Sequence, residues 1–218
     1  MKLIRSALAT SLLIASATSA YARDLNLGFS TGLHNGVIDD EDNGRFTSKS
    51  AKVSVYTPLN EYISMGLTLG KESTDSDSPA YNYDGYTDIE NTRVHMRISP
   101  RNVSTEEICL EAKISVPKSV LNSNYSPYIK IGRTIWSSYT YRGRVSLESL
   151  DFDYTYNGTQ SGYSYCLGTS MDLADTVTLS AELESTKKEI VAKSKYSDFE
   201  LEGDVSSVGL SLGVSVKV

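Results

Sequence analysis

Cysteine and histidine are almost missing from this chain, with two of each in 218 residues. That excludes a zinc-finger array or a His-rich metal cage, and no residue pattern calls for a metal or a cofactor. An excess of positive charge is also absent. Lys and Arg number 21 against 27 Asp and Glu, a formal net of −6, so no basic face is available to neutralise a nucleic-acid backbone. Beyond the N-terminal stretch there is no run of about 18 apolar residues, which excludes a transmembrane helix. Proline is scarce, at five, and there is a single Trp. Tyrosine is not scarce: fifteen Tyr stand against four Phe.

The first residues read as an address. Lys2 and Arg5 form a positive n-region, Ala7 to Ala17 is short and apolar, and Ala20-Tyr21-Ala22 fits a small-x-small cleavage site. The pattern predicts a secretory signal peptide over 1–22. The domain that follows is 23–218, of 218 − 22 = 196 residues, with a net charge of −6 − 2 = −8 once Lys2 and Arg5 are removed. Export would bring both cysteines into an oxidising compartment.

The rest of the chain is written in period two. Val208, Leu210, Leu212, Val214, Val216 and Val218 alternate with Ser207, Gly209, Ser211, Gly213, Ser215 and Lys217. A strand sorts such residues onto two faces; a helix does not. The same alternation runs through Leu25, Leu27 and Phe29; Ala51, Val53 and Val55; Ile63, Met65, Leu67 and Leu69; Ile108, Leu110, Ala112, Ile114 and Val116; Tyr163, Tyr165 and Leu167; and Val177, Leu179, Ala181 and Leu183.

Alternation alone fits a soluble sandwich with oil inside or a membrane barrel with oil outside. Three features favour the barrel. The polar faces are rich in Gly and Ser, which suits a crowded axis. Connections alternate between tight (Thr57 to Glu61, Asp172 to Thr176) and long (33–49, 71–91, 137–160, 186–203), the pattern of short periplasmic turns and long extracellular loops. Strand ends carry Tyr56, Tyr62, Tyr125, Tyr128, Tyr139, Tyr141 and Tyr163, as interfacial girdles do. The turn dipeptides Asn35-Gly36, Asn43-Gly44, Asp84-Gly85 and Asn157-Gly158 all fall in the long segments.

These residues resemble a family. Gly162-Tyr163-Ser164-Tyr165-Cys166-Leu167-Gly168, Met171-Asp172-Leu173-Ala174-Asp175 and Val177-Thr178-Leu179-Ser180-Ala181-Glu182-Leu183-Glu184 look like the third-from-last strand, turn and penultimate strand of small OmpA/OmpX-like outer-membrane barrels. The segment from Val205 to Val218 looks like their closing strand, and Pro127-Tyr128-Ile129-Lys130-Ile131-Gly132 like their fifth. In size and loop character the chain is similar to accessory colonisation factors of the AcfA type. It departs from the family in ending at Val218 rather than at an aromatic residue. The resemblance implies an all-β, closed, antiparallel up-and-down barrel. Its partners would be outer-membrane lipid, lipopolysaccharide and the barrel insertion machinery, and it would act as a monomer without nucleic acid.

Eight strands are expected, near 24–32, 48–57, 61–70, 106–116, 127–136, 161–171, 176–185 and 205–218. Two further alternating segments, Val94-Met96-Ile98 and Val145-Leu147 with Leu150-Phe152, would make ten. Eight is preferred because Arg93, His95 and Arg97 on one face would crowd a narrow lumen; in that reading they extend a strand outside the membrane.

Parity assigns Lys52, Lys113, Lys130 and Lys217 to the lumen with Glu111, Asp172, Glu182 and Glu184. Charges in so tight an interior must pair, forming a plug, or, if they exchange partners, a gated ion path. Cys109 and Cys166 also face inward, two strands apart; a disulfide and a pair of buried thiols are both open. Asp39, Asp40, Glu41 and Asp42 precede Asn43-Gly44 like the start of a calcium loop, but Ser50 stands where the closing carboxylate belongs. They and Tyr81, Tyr83 and Tyr86, among the acids of 71–91, read as acidic, Tyr-rich surface loops for contact with a host protein or glycan. Of the two histidines, His34 is placed where a lipid-modifying base can sit, with no partner at a recognisable spacing. The function expected is non-catalytic: envelope structure and surface interaction, as in adhesion or colonisation. The alternatives are a narrow channel and a lipid-modifying enzyme.

Overall fold

The computed structural model describes residues 25–39, 44–74, 81–86, 93–121, 123–147, 150–194 and 200–218. The segment read as a signal peptide, and Asp40, Glu41, Asp42 and Asn43, lie outside the described residues.

Among the described residues, nine strands and one short helix follow in chain order: β1 (Asn26–Asp39), β2 (Gly44–Pro58), β3 (Ile63–Thr74), β4 (Tyr81–Tyr86), β5 (Arg93–Ser115), α1 (Lys118–Leu121), β6 (Tyr125–Leu147), β7 (Leu150–Ala174), β8 (Val177–Ser194) and β9 (Glu200–Lys217). Eight of them close an antiparallel ring in the order β1-β2-β3-β5-β6-β7-β8-β9, with β9 pairing back onto β1. Closure gives every strand two partners, as a membrane span requires, because an unsatisfied backbone group in lipid costs several kcal/mol. The short β4 is outside the ring and pairs with the top of β5, Tyr81 opposite Ile98 and Tyr86 opposite Arg93. Eight strands therefore cross the membrane. The segment with Val94, Met96 and Ile98 is the upper part of β5, and 145–147 pairs with 150–152 at the facing ends of β6 and β7.

The register fixes the tilt. From Leu27 the hydrogen-bonded partners run Val55, Leu67, Leu110, Arg133, Tyr163, Lys187 and Ser206, and return to β1 at Val37. The offset is 37 − 27 = 10 residues, so the strands incline by roughly 40° to the axis. The oil is outside, as the barrel reading expects. Leu27, Phe29, Leu33, Val53, Leu110, Ile129, Leu167, Leu183, Leu210 and Leu212 are exposed, whereas Gly32, His34, Ser50, Thr68, Glu111 and Ser211 are buried. On β9 the outward apolar run from Val208 to Val216 is 216 − 208 = 8 steps, ~20 Å along the axis at that tilt. That is the scale of an outer-membrane hydrocarbon band.

The strands are much longer than the alternation predicted. The segments 33–39, 44–49, 71–74, 137–147, 150–160, 186–194 and 200–203, read as loops, are strand. Asn35-Gly36 and Asn157-Gly158 are therefore not turns. A Cβ at Gly36 would lie 2.2 Å from the Phe46 ring, and one at Gly158 would lie 2.0 Å from the Val191 carbonyl. Glycine serves close approach at both. The tyrosines divide as well. Tyr62, Tyr125 and Tyr163 point outward, but Tyr56, Tyr128, Tyr139 and Tyr141 point in, so only part of the expected girdle faces lipid.

Candidate functional site

The interior is a stack of paired charges. Nearest the periplasm, Lys130 Nζ lies 2.7 Å from Glu182 Oε2 and 4.0 Å from Glu111 Oε2. Tyr128 donates its phenol to Glu182 at 2.6 Å, and Tyr56 donates to Glu111. Lys113 sits 3.9 Å over the Tyr128 ring, a cation–π contact. Tyr128 takes this position because its cross-strand neighbour is Gly168, where a Cβ would come within 2.5 Å of the ring. One level up, Lys52 donates to Glu184 Oε2 at 2.6 Å. Above that, Lys188 bridges Glu107 at 2.9 Å and Glu72 at 3.7 Å, and Ser48 donates to Glu72.

His34 belongs to this stack. It is buried, with Nε2 2.9 Å from Ser50 Oγ and 3.9 Å from Glu184 Oε2. A serine-type relay needs base and orienting acid on opposite ring nitrogens; here both partners share Nε2, and Nδ1 faces Gly209, where a Cβ would lie 2.3 Å away. The cavity lined by His34, Ser50, Lys52, Glu72, Glu107 and Lys188 measures about 10 Å³, room for roughly one water. No substrate fits there.

At the extracellular end the interior turns apolar. Tyr139, Ile190 and Ala192 are buried, packed against Val103, Tyr141, Tyr156 and Val205. Tyr141, Tyr154 and Tyr156 form a mutual aromatic trio, with centroids 5.6 to 6.2 Å apart. Tyr154 donates to Tyr141 at 3.1 Å; burial first, and that bond second, raise the Tyr154 phenol above its ordinary pKa. Outside, at the same height, stand polar and charged residues such as Arg142, Asn157, Lys193 and Glu202, all exposed. Above the membrane the barrel thus has the inside-out order of a soluble protein.

The structure brings together six of the eight lumen charges read from parity: Lys52, Lys113, Lys130, Glu111, Glu182 and Glu184. Two are elsewhere. Asp172 is at the periplasmic rim, half exposed, bonded to Lys118 and to Thr178 at 2.8 Å. Burial pushes its carboxyl up, but those two bonds outweigh it and hold the pKa below the ordinary value. Lys217 is exposed at the same rim. Both stand at the ends of their strands, where the barrel wall no longer encloses them.

Three lumen charges escaped the sequence reading: Glu72, Glu107 and Lys188. Each continues the inward parity of its strand, two residues beyond Gly70 and Cys109 and four beyond Glu184; Glu72 and Lys188 lie in segments read as loops, and Glu107 lies inside the strand expected over 106–116. Glu72 is thus a lumen residue and not part of a surface loop. Asp39 ends β1, and Ser50, where the closing carboxylate of a calcium loop belongs, lies in β2 and faces His34. Among the described residues no cluster of three or more metal-binding side chains occurs. Tyr81, Tyr83 and Tyr86 are in β4.

The disulfide is not formed. Cys109 and Cys166 are buried free thiols, and Cys109 Sγ lies 3.7 Å from Thr134 Oγ1. Their partners on the intervening β6 are Thr134 and Lys130. Four residue steps separate these, ~13 Å along the strand, on top of ~10 Å across it, far beyond bridging range.

The outer membrane protein β-barrel domain family matches residues 6–217. No curated protein sequence matches the chain. Among solved structures, the chain is similar to Neisserial surface protein A, with 15% identity over 87% of this chain and 96% of that one and a TM-score of 0.44. It is also similar to Ail, the attachment invasion locus protein of Yersinia pestis, at 11% identity over 89% and 99% with a TM-score of 0.40. The outer membrane protease OmpT of Escherichia coli follows at 7% identity over 91% and 98%, with a TM-score of 0.44. With the family match spanning nearly the whole chain and the ring of eight lipid-facing strands, this protein belongs to the outer membrane protein β-barrel domain family and resides in the bacterial outer membrane.

Proposed function

We propose that the protein is a non-catalytic surface-recognition protein, in which an occluded barrel anchors an extracellular β-sheet that binds a host protein or glycan. The observation carrying this reading is the length of β5, β6 and β7 beyond the apolar band. On β5 the outward face turns charged at Glu106, which pairs with Lys71 at 3.2 Å, yet the strand starts at Arg93. Those 106 − 93 = 13 steps make ~43 Å of strand outside the lipid. Among the described residues β4 pairs with β5 alone, leaving the backbone groups of its other edge open. An open edge can accept an added strand, with main-chain bonds giving affinity and side chains giving selectivity. The acidic, Tyr-rich composition of 75–91 suits protein or glycan contact. Around His34 the cavity has room for about one water, and a channel reading requires the lumen bridges to part.

Replacing 81–86 by a Gly-Ser linker tests the proposal. The variant should keep the heat-modifiable gel mobility of an inserted barrel and lose attachment of cells displaying it to host cells or immobilised matrix. Insertion with undiminished attachment refutes the role given to β4.

A further inference from the structure

The lipid-facing surface carries an arrangement that surface recognition does not use. Arg133, Tyr163 and Lys187 occupy one cross-strand row over β6, β7 and β8, as the pairings Arg133–Tyr163 and Tyr163–Lys187 show. All three side chains point outward. The Arg133 guanidinium lies 5.5 Å from the centroid of the Tyr163 ring, which holds its planar fork against the barrel wall. Directly below come Ile131, Tyr165 and Leu167, then Leu183 on β8, all facing lipid. The β6 irregularity between Arg133 and Tyr139 turns both Ile135 and Trp136 outward just above. An outward Trp marks headgroup level, so the row sits where the acyl chains end. Up β8 the outward order is Leu183, Ser185, Lys187, Glu189: hydrocarbon, then cation, then acid. Another outward cation near this level, Lys71, is already paired with Glu106.

We propose that this row is a binding site for a phosphate of the outer-leaflet glycolipid, with Arg133 and Lys187 closing on the anion from two sides of Tyr163. An Arg fork takes phosphate oxygens in a bidentate manner. Both long side chains can lay their stems on the apolar wall and raise their charged ends to the headgroup plane. The two Cα positions are two strands apart, ~10 Å, a gap that side chains of this length close around a phosphate. The residues also explain why a cation stands beside the hydrocarbon band on β6, where Arg133 would otherwise face lipid without a counter-charge.

The test is binding of diphosphoryl lipid A to the folded barrel in neutral detergent, read by native mass spectrometry and by the temperature of the gel-mobility transition. Wild type should bind it and shift upward in temperature. Arg133→Gln and Lys187→Gln should each weaken binding about fivefold, the scale of one basic residue at an anionic membrane surface. Lys118→Gln, at the opposite rim, should leave it unchanged. Dephosphorylated lipid A, phosphatidylglycerol and inorganic phosphate should give no comparable shift. Equal binding of dephosphorylated lipid A overturns the phosphate site, and equal binding of phosphatidylglycerol or free phosphate overturns the glycolipid assignment. Undiminished affinity in Lys187→Gln, an exposed substitution that leaves the fold intact, overturns the proposal by itself.

Discussion

Replacing Lys130 by Met probes the charge stack at its densest point. The ammonium contacts Glu182 at 2.7 Å and Glu111 at 4.0 Å, and the three side chains are 15%, 11% and 6% exposed. Methionine fills much of the same volume but leaves two carboxylates facing each other, served by the phenols of Tyr128 and Tyr56. Removing one partner of a buried pair costs ~3–5 kcal/mol, because the remaining charge is uncompensated. With a urea slope of ~2 kcal/mol per M, the unfolding midpoint should fall by ~1.5–2.5 M. The double change Lys130→Met with Glu182→Gln removes one of the stranded charges and should recover a large part of that loss, a non-additivity that packing alone would not produce. Urea titration of the barrel in lipid vesicles reads both, by gel mobility and by the fluorescence of Trp136, the chain's one Trp. A midpoint within ~0.3 M of wild type would refute the view that these bridges hold the lumen together.

Two further outcomes follow from the interior. In the folded protein Cys109 and Cys166 should resist maleimide and show no mobility change on reduction, and both should label after urea unfolding; a mass two hydrogens short of the dithiol in the folded form would contradict the free thiols. In planar bilayers the wild-type barrel should give no sustained conductance, because charge pairs fill the lower lumen and Tyr139, Ile190 and Ala192 fill the upper; stable open states would show that the bridges exchange partners.

The alternation on β9 and β8 made the barrel legible, because in the membrane oil and polarity fall on opposite faces. The signal fades wherever that contrast does. Above Leu183 the β8 sequence reads Ser185, Thr186, Lys187, Lys188, Glu189, Ile190, Val191, with like residues adjacent, and the strand passes for a loop although its inward parity never breaks. Glu72 and Lys188 were hidden for that reason; Glu107, inside the strand expected over 106–116, shares the parity of Cys109 and Glu111 and was not counted with them. On β6 the inward residues are even-numbered through Gly132 and odd-numbered from Ser137, since the irregularity between Arg133 and Tyr139 shifts the phase; no period can be carried across it. Cys109 and Cys166 share a face, which sequence can tell, but their separation depends on register, which it cannot.

The reversal of the interior, from ion pairs low down to Tyr139, Ile190 and Ala192 at the top, also settles where the molecule floats. Each half is stable in one medium only: the lower needs hydrocarbon around it and the upper needs water. Sinking by two residues, ~5 Å along the axis, would submerge Lys49, Lys71 and Lys187; rising by as much would wet Leu27, Ile63 and Ile114. The barrel therefore holds a single height in the bilayer without any external anchor, and the sheet it carries is presented at a constant distance from the cell surface.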